Sequence, residues 1–161
     1  MTKEKMIEIN VPGMERPYRI TSLVLDYNGT VACDGRLLPA AAERIKMLTK
    51  LIPVYILTAD TYGTVRQQCE GLGAEIKTFV HAGAAVCKEE IVRSLGKGVC
   101  AVGNGLNDIQ MMDAADLAIC VIEKEGACAK LLVHADVVVT APEDALDLLI
   151  NTDRLRATLR N

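Results

Sequence analysis

The sequence predicts an α/β domain, a parallel sheet with helices on both faces. Three observations carry that prediction. Apolar runs of strand length alternate with segments of helix length. Those runs lack polar alternation, as strands buried on both faces do. The 161 residues are 50% apolar, yet include one Phe, four Tyr and no Trp, which describes a small aliphatic core. A length near ~150 residues argues for one domain, here 1–161.

Residues 5–11 predict an edge strand paired with 18–20. The run 18–25 reads as a strand ending at Asp26. Pro39 at a helix N1 position opens a helix over 39–50, with Ala42, Ile45, Leu48 and Thr49 on one face. Strand 53–58, helix 62–70, a short strand near 75–80 and helix 83–95, stopped by Gly96, follow. Then come strand 98–102, a turn at Gly103-Asn104-Gly105, helix 106–113, strand 116–121, helix 126–133, strand 136–140 and a helix opening at Pro142. No linker, repeat or change in composition divides the chain.

With 18 Lys+Arg against 21 Asp+Glu, the net charge of -3 offers no footprint for nucleic acid, and the scarcity of aromatics removes a base-stacking surface. No apolar run approaches the ~20 residues of a membrane span. The start, Met1 to Glu8, lacks an apolar signal region, so a cytoplasmic domain is expected. The six cysteines form no CxxC pair and fit reduced, buried, inert thiols.

Ligands of such a sheet bind where its strands end. At the first core strand's tip stands Asp26-Tyr27-Asn28-Gly29-Thr30. A carboxylate there can attack phosphorus while the turn's N–H groups hold phosphoryl oxygens, or it simply starts a turn into a hairpin. Thr58 ends the next strand, where its hydroxyl can donate to phosphate or serve structure alone. Lys88 is either a solvated helix residue or a cation that neutralises charge beside Asp26. Asp108 begins a helix after the glycines and can meet a hard cation or cap that helix. G-x-G-x-x-G fits poorly, since its third glycine is missing.

Taken in order, these motifs make the chain resemble the haloacid-dehalogenase-like (HAD) phosphatase superfamily, and within it the soluble relatives of the P-type ATPase phosphorylation domain. The resemblance covers about residues 20–150. Asp26-Tyr27-Asn28-Gly29-Thr30 is similar to the first motif, Leu57-Thr58-Ala59-Asp60 to the P-type Thr-Gly-Asp segment, and Lys88 to the third motif. Gly103-Asn104-Gly105-Leu106-Asn107-Asp108 is similar to Gly-Asp-Gly-x-Asn-Asp, and Val31 to Leu38, with Asp34-Gly35 at its tip, to the flap hairpin. The resemblance implies a three-layer Rossmann-like fold and Mg²⁺-dependent phosphoryl transfer through an aspartyl-phosphate on Asp26. Thr58 and Lys88 would clamp phosphate oxygens, with Tyr27, Asn28, Gly29, Thr30, Ala59, Asp60 and Asn107 around the phosphate. Mg²⁺ would bridge Asp26, the Asn28 backbone carbonyl and the Asn104/Asp108 turn.

Two positions depart from that family pattern. Asn28 stands where family phosphatases carry an acid–base Asp, and losing that help costs ~10²–10⁴-fold in rate. From an ordinary turnover near ~10 s⁻¹, hydrolysis falls to roughly 0.001–0.1 s⁻¹. Asn104 stands where the family has Asp and removes one charge from the cation's surroundings. Asp60 is a substitute base or a solvated surface group. The intervals 26–58 and 58–88 leave no room for a cap domain, so the site is open unless a second copy of the chain or a large substrate covers it. The expected substrates are a phosphorylated small molecule or a phosphoprotein. The competing reading is a catalytically weakened member of the fold that binds phosphate or a partner protein. A signalling receiver domain fits less well, because its phosphorylated Asp lies on a later strand than its acidic pair. His81 reads as a strand-end residue or a substrate contact, His134 has no assigned role, and the basic 153–160 segment suits a helix C-terminus.

Overall fold

The computed structural model describes residues 4–60, 63–80 and 82–161. Six strands form one parallel sheet: β3 (Ser22–Asp26), β6 (Val54–Thr58), β7 (Glu75–Thr78), β8 (Val99–Gly103), β9 (Leu117–Val121) and β10 (Val137–Val139). Their spatial order is β10-β9-β8-β3-β6-β7. The order reverses beside β3, which lies between β8 and β6.

Successive side chains of each strand serve opposite faces. Leu23 and Leu25 pack toward the layer of α1 (Pro39–Thr49), α2 (Thr64–Gln68), α5 (Pro142–Ile150) and α6 (Thr152–Leu159). Val24 packs toward α3 (Ala84–Ser94) and α4 (Ile109–Ala114). Val99, Ala101, Ala118 and Cys120 join Val24, while Cys100, Val102, Leu117 and Ile119 join Leu23. Both faces are therefore covered, which explains why the strands read as continuous apolar runs. Among the described residues no helix is long and apolar enough to cross a membrane.

Several boundaries differ from the sequence expectations for identifiable reasons. The 18–25 run is not one strand: Thr21 breaks it into β2 (Tyr18–Ile20) and β3. Thr21 N–H donates to Gly98 C=O at 2.8 Å and its Oγ1 donates to Lys97 C=O at 2.9 Å, turning the chain at that point. The expected edge strand over 5–11 shrinks to β1 (Ile7–Ile9). It pairs antiparallel with β2 in a separate ribbon rather than extending the main sheet. The expected helix over 126–133 is replaced by a loop and a 3-10 stretch over Ala129–His134. Cys128 N–H donates to Asn104 C=O at 2.8 Å, so a long-range bond holds this segment out of a helix. In α1 the buried residue is Ala41 rather than Ala42, together with Ile45 and Leu48. The helix expected over 62–70 is described as Thr64–Gln68, and position 62 lies outside the described residues.

The interval between Asp26 and Thr58 holds only a hairpin and α1. That hairpin pairs β4 (Ala32–Cys33) with β5 (Arg36–Leu37). Asp34 (φ 51°) and Gly35 (φ 77°) at its tip are both left-handed, as a type I′ turn requires. Tyr27 Oη donates to Gly35 C=O at 3.2 Å, and Gln68 Nε2 donates to the same carbonyl at 2.9 Å. Leu37 N–H donates to Gln68 Oε1 at 2.8 Å. Between Thr58 and Lys88 the described residues form α2, β7 and the first turn of α3, so among the described residues neither interval carries a cap.

Candidate active site

Asp26, Thr58 and Gly103 end adjacent strands at the reversal of strand order, where open α/β sheets present a crevice. Lys88 reaches this edge from α3. Its Nζ donates to Asp26 Oδ1 at 2.8 Å, to Asp108 Oδ1 at 2.7 Å and to Asn107 Oδ1 at 3.0 Å. The Lys88 side chain is 2% exposed and that of Asp108 fully buried, so this is an interior charge cluster rather than a surface ion pair. The Phe79 ring, centred 5.6 Å from Nζ, adds a cation–π contact.

After Asp26 the chain turns on the Tyr27 carbonyl, which accepts from Thr30, Val31 and Ala32 N–H at 3.3, 3.1 and 3.0 Å. Gly29 N–H donates to Ala32 C=O at 2.9 Å. The amides of Gly29 and Thr30 are thus engaged within the turn, contrary to the expectation that they hold phosphate. The Tyr27 ring is buried and its hydroxyl anchors the flap tip, so its side chain serves the fold. Burial pushes that phenol up to about 12. Thr30 Oγ1 lies 3.2 Å from both Asp26 Oδ2 and Asn104 Oδ1 and links the two motifs. Asn28 is the one exposed residue between Ser22 and Ala32, at the mouth of the site.

The second motif is built around Asp108. Its Oδ2 accepts from Asn104 N–H at 3.0 Å and Gly105 N–H at 2.9 Å, while Oδ1 faces Lys88. Gly103 permits this closeness: a Cβ there would stand 2.6 Å from Asp108 Cγ. Both Asp108 oxygens are therefore engaged, and the motif oxygen that meets Asp26 through Thr30 is Asn104 Oδ1.

Thr58 is buried, and its Oγ1 accepts from Asp60 N–H at 3.0 Å, leaving the hydroxyl proton to donate elsewhere. Asp60 Oδ2 accepts from Thr64 Oγ1 at 2.7 Å and Val65 N–H at 2.9 Å, caps the entry to α2, and is half-buried beside Ala59. These bonds give Asp60 a structural task. His81 lies outside the described residues. His134 Nδ1 is 2.8 Å from Asp113 Oδ1 on the flank of α4. Of the cysteines, Cys69, Cys100 and Cys120 are buried, and Cys33, Cys87 and Cys128 only half-buried; all six are free. Burial raises the buried thiols, Cys69 to about 11, in keeping with inert groups.

Burial, reinforced by the Asp108 carboxylate, lifts Asp26 from its ordinary 3.8 to about 7, against the opposing pull of Lys88 and Thr30. Burial opposes the charge of Lys88, but Asp26 and Asp108 outweigh it and hold the ammonium above its ordinary range. Two interior carboxylates thus share one ammonium. That negative excess, with hard oxygens of Asp26 and Asn104 on either side of the Thr30 hydroxyl, fits a divalent cation such as Mg²⁺. Without a cation, Asp26→Asn is expected to raise the melting temperature more at pH 8 than at pH 5. The folded state holds the Asp26 proton more tightly than the unfolded chain, so its contribution to stability falls as pH rises from about 4 to about 7 and is level above. Melting curves in chelator at both pH values check this, and an equal gain at the two would contradict it.

Sequence reasoning missed the groups that hold the motifs in place from elsewhere. Asn104 Nδ2 donates to Gly126 C=O at 3.1 Å, and Asp34 N–H at the flap tip donates to Glu125 Oε2 at 3.3 Å. Cys33, Glu123 and Glu125 gather their ligand atoms within 4.8 Å of one another beside the flap. No motif spacing marks a backbone carbonyl, so Gly126 had no signal.

No family model matches the chain. An uncharacterized protein of Methanocaldococcus jannaschii is 51% identical over 65 residues, 40% of this chain and 70% of that protein. A second from the same organism is 44% identical over 39 residues, 24% of this chain and 89% of that protein. A soluble P-type ATPase-like phosphatase of that organism is 26% identical over 137 residues, 80% of this chain, and the chain spans only 50% of its length. Among solved structures, 3-deoxy-D-manno-octulosonate 8-phosphate phosphatase of Moraxella catarrhalis, in complex with magnesium, phosphate and the sugar acid, superposes with a TM-score of 0.69. It shares 18% identity, with 88% of this chain and 94% of that one covered. The cobalt-bound enzyme of Haemophilus influenzae gives a TM-score of 0.69 at 15% identity, with 88% and 94% covered. Sequence places the chain in one family with the two uncharacterized archaeal proteins, and its own structure has the haloacid-dehalogenase-like fold.

Proposed function

We propose that the protein is a Mg²⁺-dependent phosphoryl hydrolase or transferase that works through an aspartyl-phosphate on Asp26 and turns over slowly. The observation that carries this reading is the buried Lys88 ammonium held between Asp26 and Asp108 at the strand-order reversal. Two of the phosphatases named above share the fold, and a third shares part of the sequence.

A carboxylate oxygen of Asp26 attacks phosphorus. The new P–O bond forms as the bond to the leaving group breaks. Thr58 Oγ1 holds a phosphoryl oxygen, and the Lys88 ammonium offsets the charge that develops beside Asp26. Asn107 and Asp108 aim the ammonium. Asp26, Asn104 Oδ1 and the Asn28 backbone carbonyl would hold Mg²⁺, which when bound supplies charge neutralisation for the phosphoryl group. Asp108 acts by positioning, since both its oxygens are engaged. Asn28 cannot pass a proton to the leaving group or take one from water, so hydrolysis lags and good leaving groups such as acyl phosphates are favoured. The open mouth suits a phosphorylated small molecule or a phosphorylated side chain on a protein.

The experiment is Mg²⁺-dependent phosphate release from an aryl phosphate and from acetyl phosphate, with wild type and Asp26→Asn. Slow release that needs Mg²⁺ and vanishes in Asp26→Asn is expected. Silence of a folded wild-type protein toward both substrates would favour the alternative, a phosphate- or partner-binding role, for which the neutral Asn28 at the mouth is the supporting observation.

A further inference from the structure

We propose that the turn Glu123–Gly126 is the positioning element of the cation site, and that it acts by fixing which end of the Asn104 amide faces Asp26. The proposal rests on the reading of the site given above. An asparagine side chain presents an acceptor at one end and a donor at the other, and half a rotation about its last bond exchanges them. With the NH₂ end turned toward Asp26, Asn104 could not serve as a cation ligand.

The Gly126 carbonyl settles the choice. It can only accept, and it takes the Asn104 Nδ2 hydrogen at 3.1 Å, which leaves Oδ1 facing Thr30 Oγ1 at 3.2 Å and, through it, Asp26. The carbonyl is itself held. Gly126 N–H donates to Glu123 C=O at 2.8 Å, Glu125 N–H donates to Glu123 Oε1 at 3.2 Å, and Gly126 takes φ 75°. Cys128 N–H then grips the Asn104 backbone carbonyl at 2.8 Å. On the far side Gly29 lies so near that a Cβ there would collide with the Asn104 amide. An aspartate at 104 would have no hydrogen for Gly126 and would set oxygen against oxygen. Asn104 and the Gly126 carbonyl are a matched pair, and Asn104 is an oriented neutral donor rather than a carboxylate that has lost its charge.

Nothing lies within 4 Å of a Cβ built on Gly126, so a substitution there acts through the left-handed backbone alone. The test is calorimetric titration of phosphate-free protein with Mn²⁺, with folding checked by melting temperature. Wild type, Gly126→Val, the milder Gly126→Ala, Asn104→Ala and the Gly126→Val/Asn104→Ala double variant are compared. Gly126→Val is expected to weaken Mn²⁺ binding about 10-fold, the scale of losing a group that orients a metal ligand. Gly126→Ala should weaken it in the same direction by less. In the Asn104→Ala background Gly126→Val should add nothing, because the group it orients is gone. Unchanged affinity in folded Gly126→Val, or the same fold loss in both backgrounds, overturns the proposal while leaving the site intact. Absence of Mn²⁺ binding in wild type, or binding indifferent to Asp26→Ala, overturns the reading of the site as well.

Discussion

Changing Asn28 to aspartate is expected to raise Mg²⁺-dependent phosphate release by about 10²–10⁴-fold. The side chain at 28 is exposed, two residues past the proposed nucleophile, where a carboxyl group is free to meet solvent and a leaving group. The amide cannot exchange a proton near neutrality, whereas a carboxyl group can serve first as acid and then as base. The gain should depend on the substrate. An alkyl phosphate, whose leaving oxygen needs a proton, should show the full increase in its first step. Acetyl phosphate, which leaves readily, should gain mainly in the release of phosphate from Asp26. Initial rates for the two substrates, with trapping of the phosphoenzyme, separate these steps, and equal rates for Asn28→Asp and wild type on both would dismiss Asn28 as the missing acid.

Replacing Lys88 by methionine should destabilise the metal-free protein by about 3–5 kcal/mol, the cost typical of removing one partner from a buried ion pair. Methionine has similar length and keeps an apolar contact with Phe79, so the change falls chiefly on charge. Asp26 and Asp108 would then be buried without their shared ammonium. Urea unfolding at pH 8 in chelator measures the loss. Adding Asp26→Asn to Lys88→Met should recover part of it, since one carboxylate no longer needs a partner. A Lys88→Met protein as stable as wild type would show that the cluster is hydrated, not interior.

The parts of the site written as motif spacings were legible in the sequence, and the parts made by distant backbone were not. Asp26, Thr58 and Gly103 each end an apolar run, and a parallel sheet brings such ends together. Lys88 was legible from its place near the opening of a helix between two strand ends and from its likeness to the third motif of the family that the chain resembles. The division of labour between Asn104 and Asp108 was not legible: both belong to one turn, and only the bonds from Lys88 and two backbone amides show Asp108 to be engaged. The side-chain task of Tyr27 was not legible either, since adjacency to Asp26 says nothing of a ring that the turn sends to the interior. The 126–133 segment has helical composition, yet Asn104, far away in sequence, claims the Cys128 amide. At the other end, Thr21 is an unremarkable residue for a strand until the Gly98 carbonyl draws its amide aside.

The braced flap has a consequence for what can enter. Its tip is tied to Tyr27 and Gln68 on one side and to Glu125 on the other. A hairpin tethered in this way is expected to act as a fixed sill, so that the opening beside it need not change width when a guest arrives. Selection then works as a sieve, by what fits through a static opening, and the ordering of that wall need not be supplied by the incoming molecule. Under the proposed function, free phosphate, a small phosphoester and a phosphorylated side chain on a folded protein would all meet the same threshold and be told apart by the shape behind the phosphoryl group.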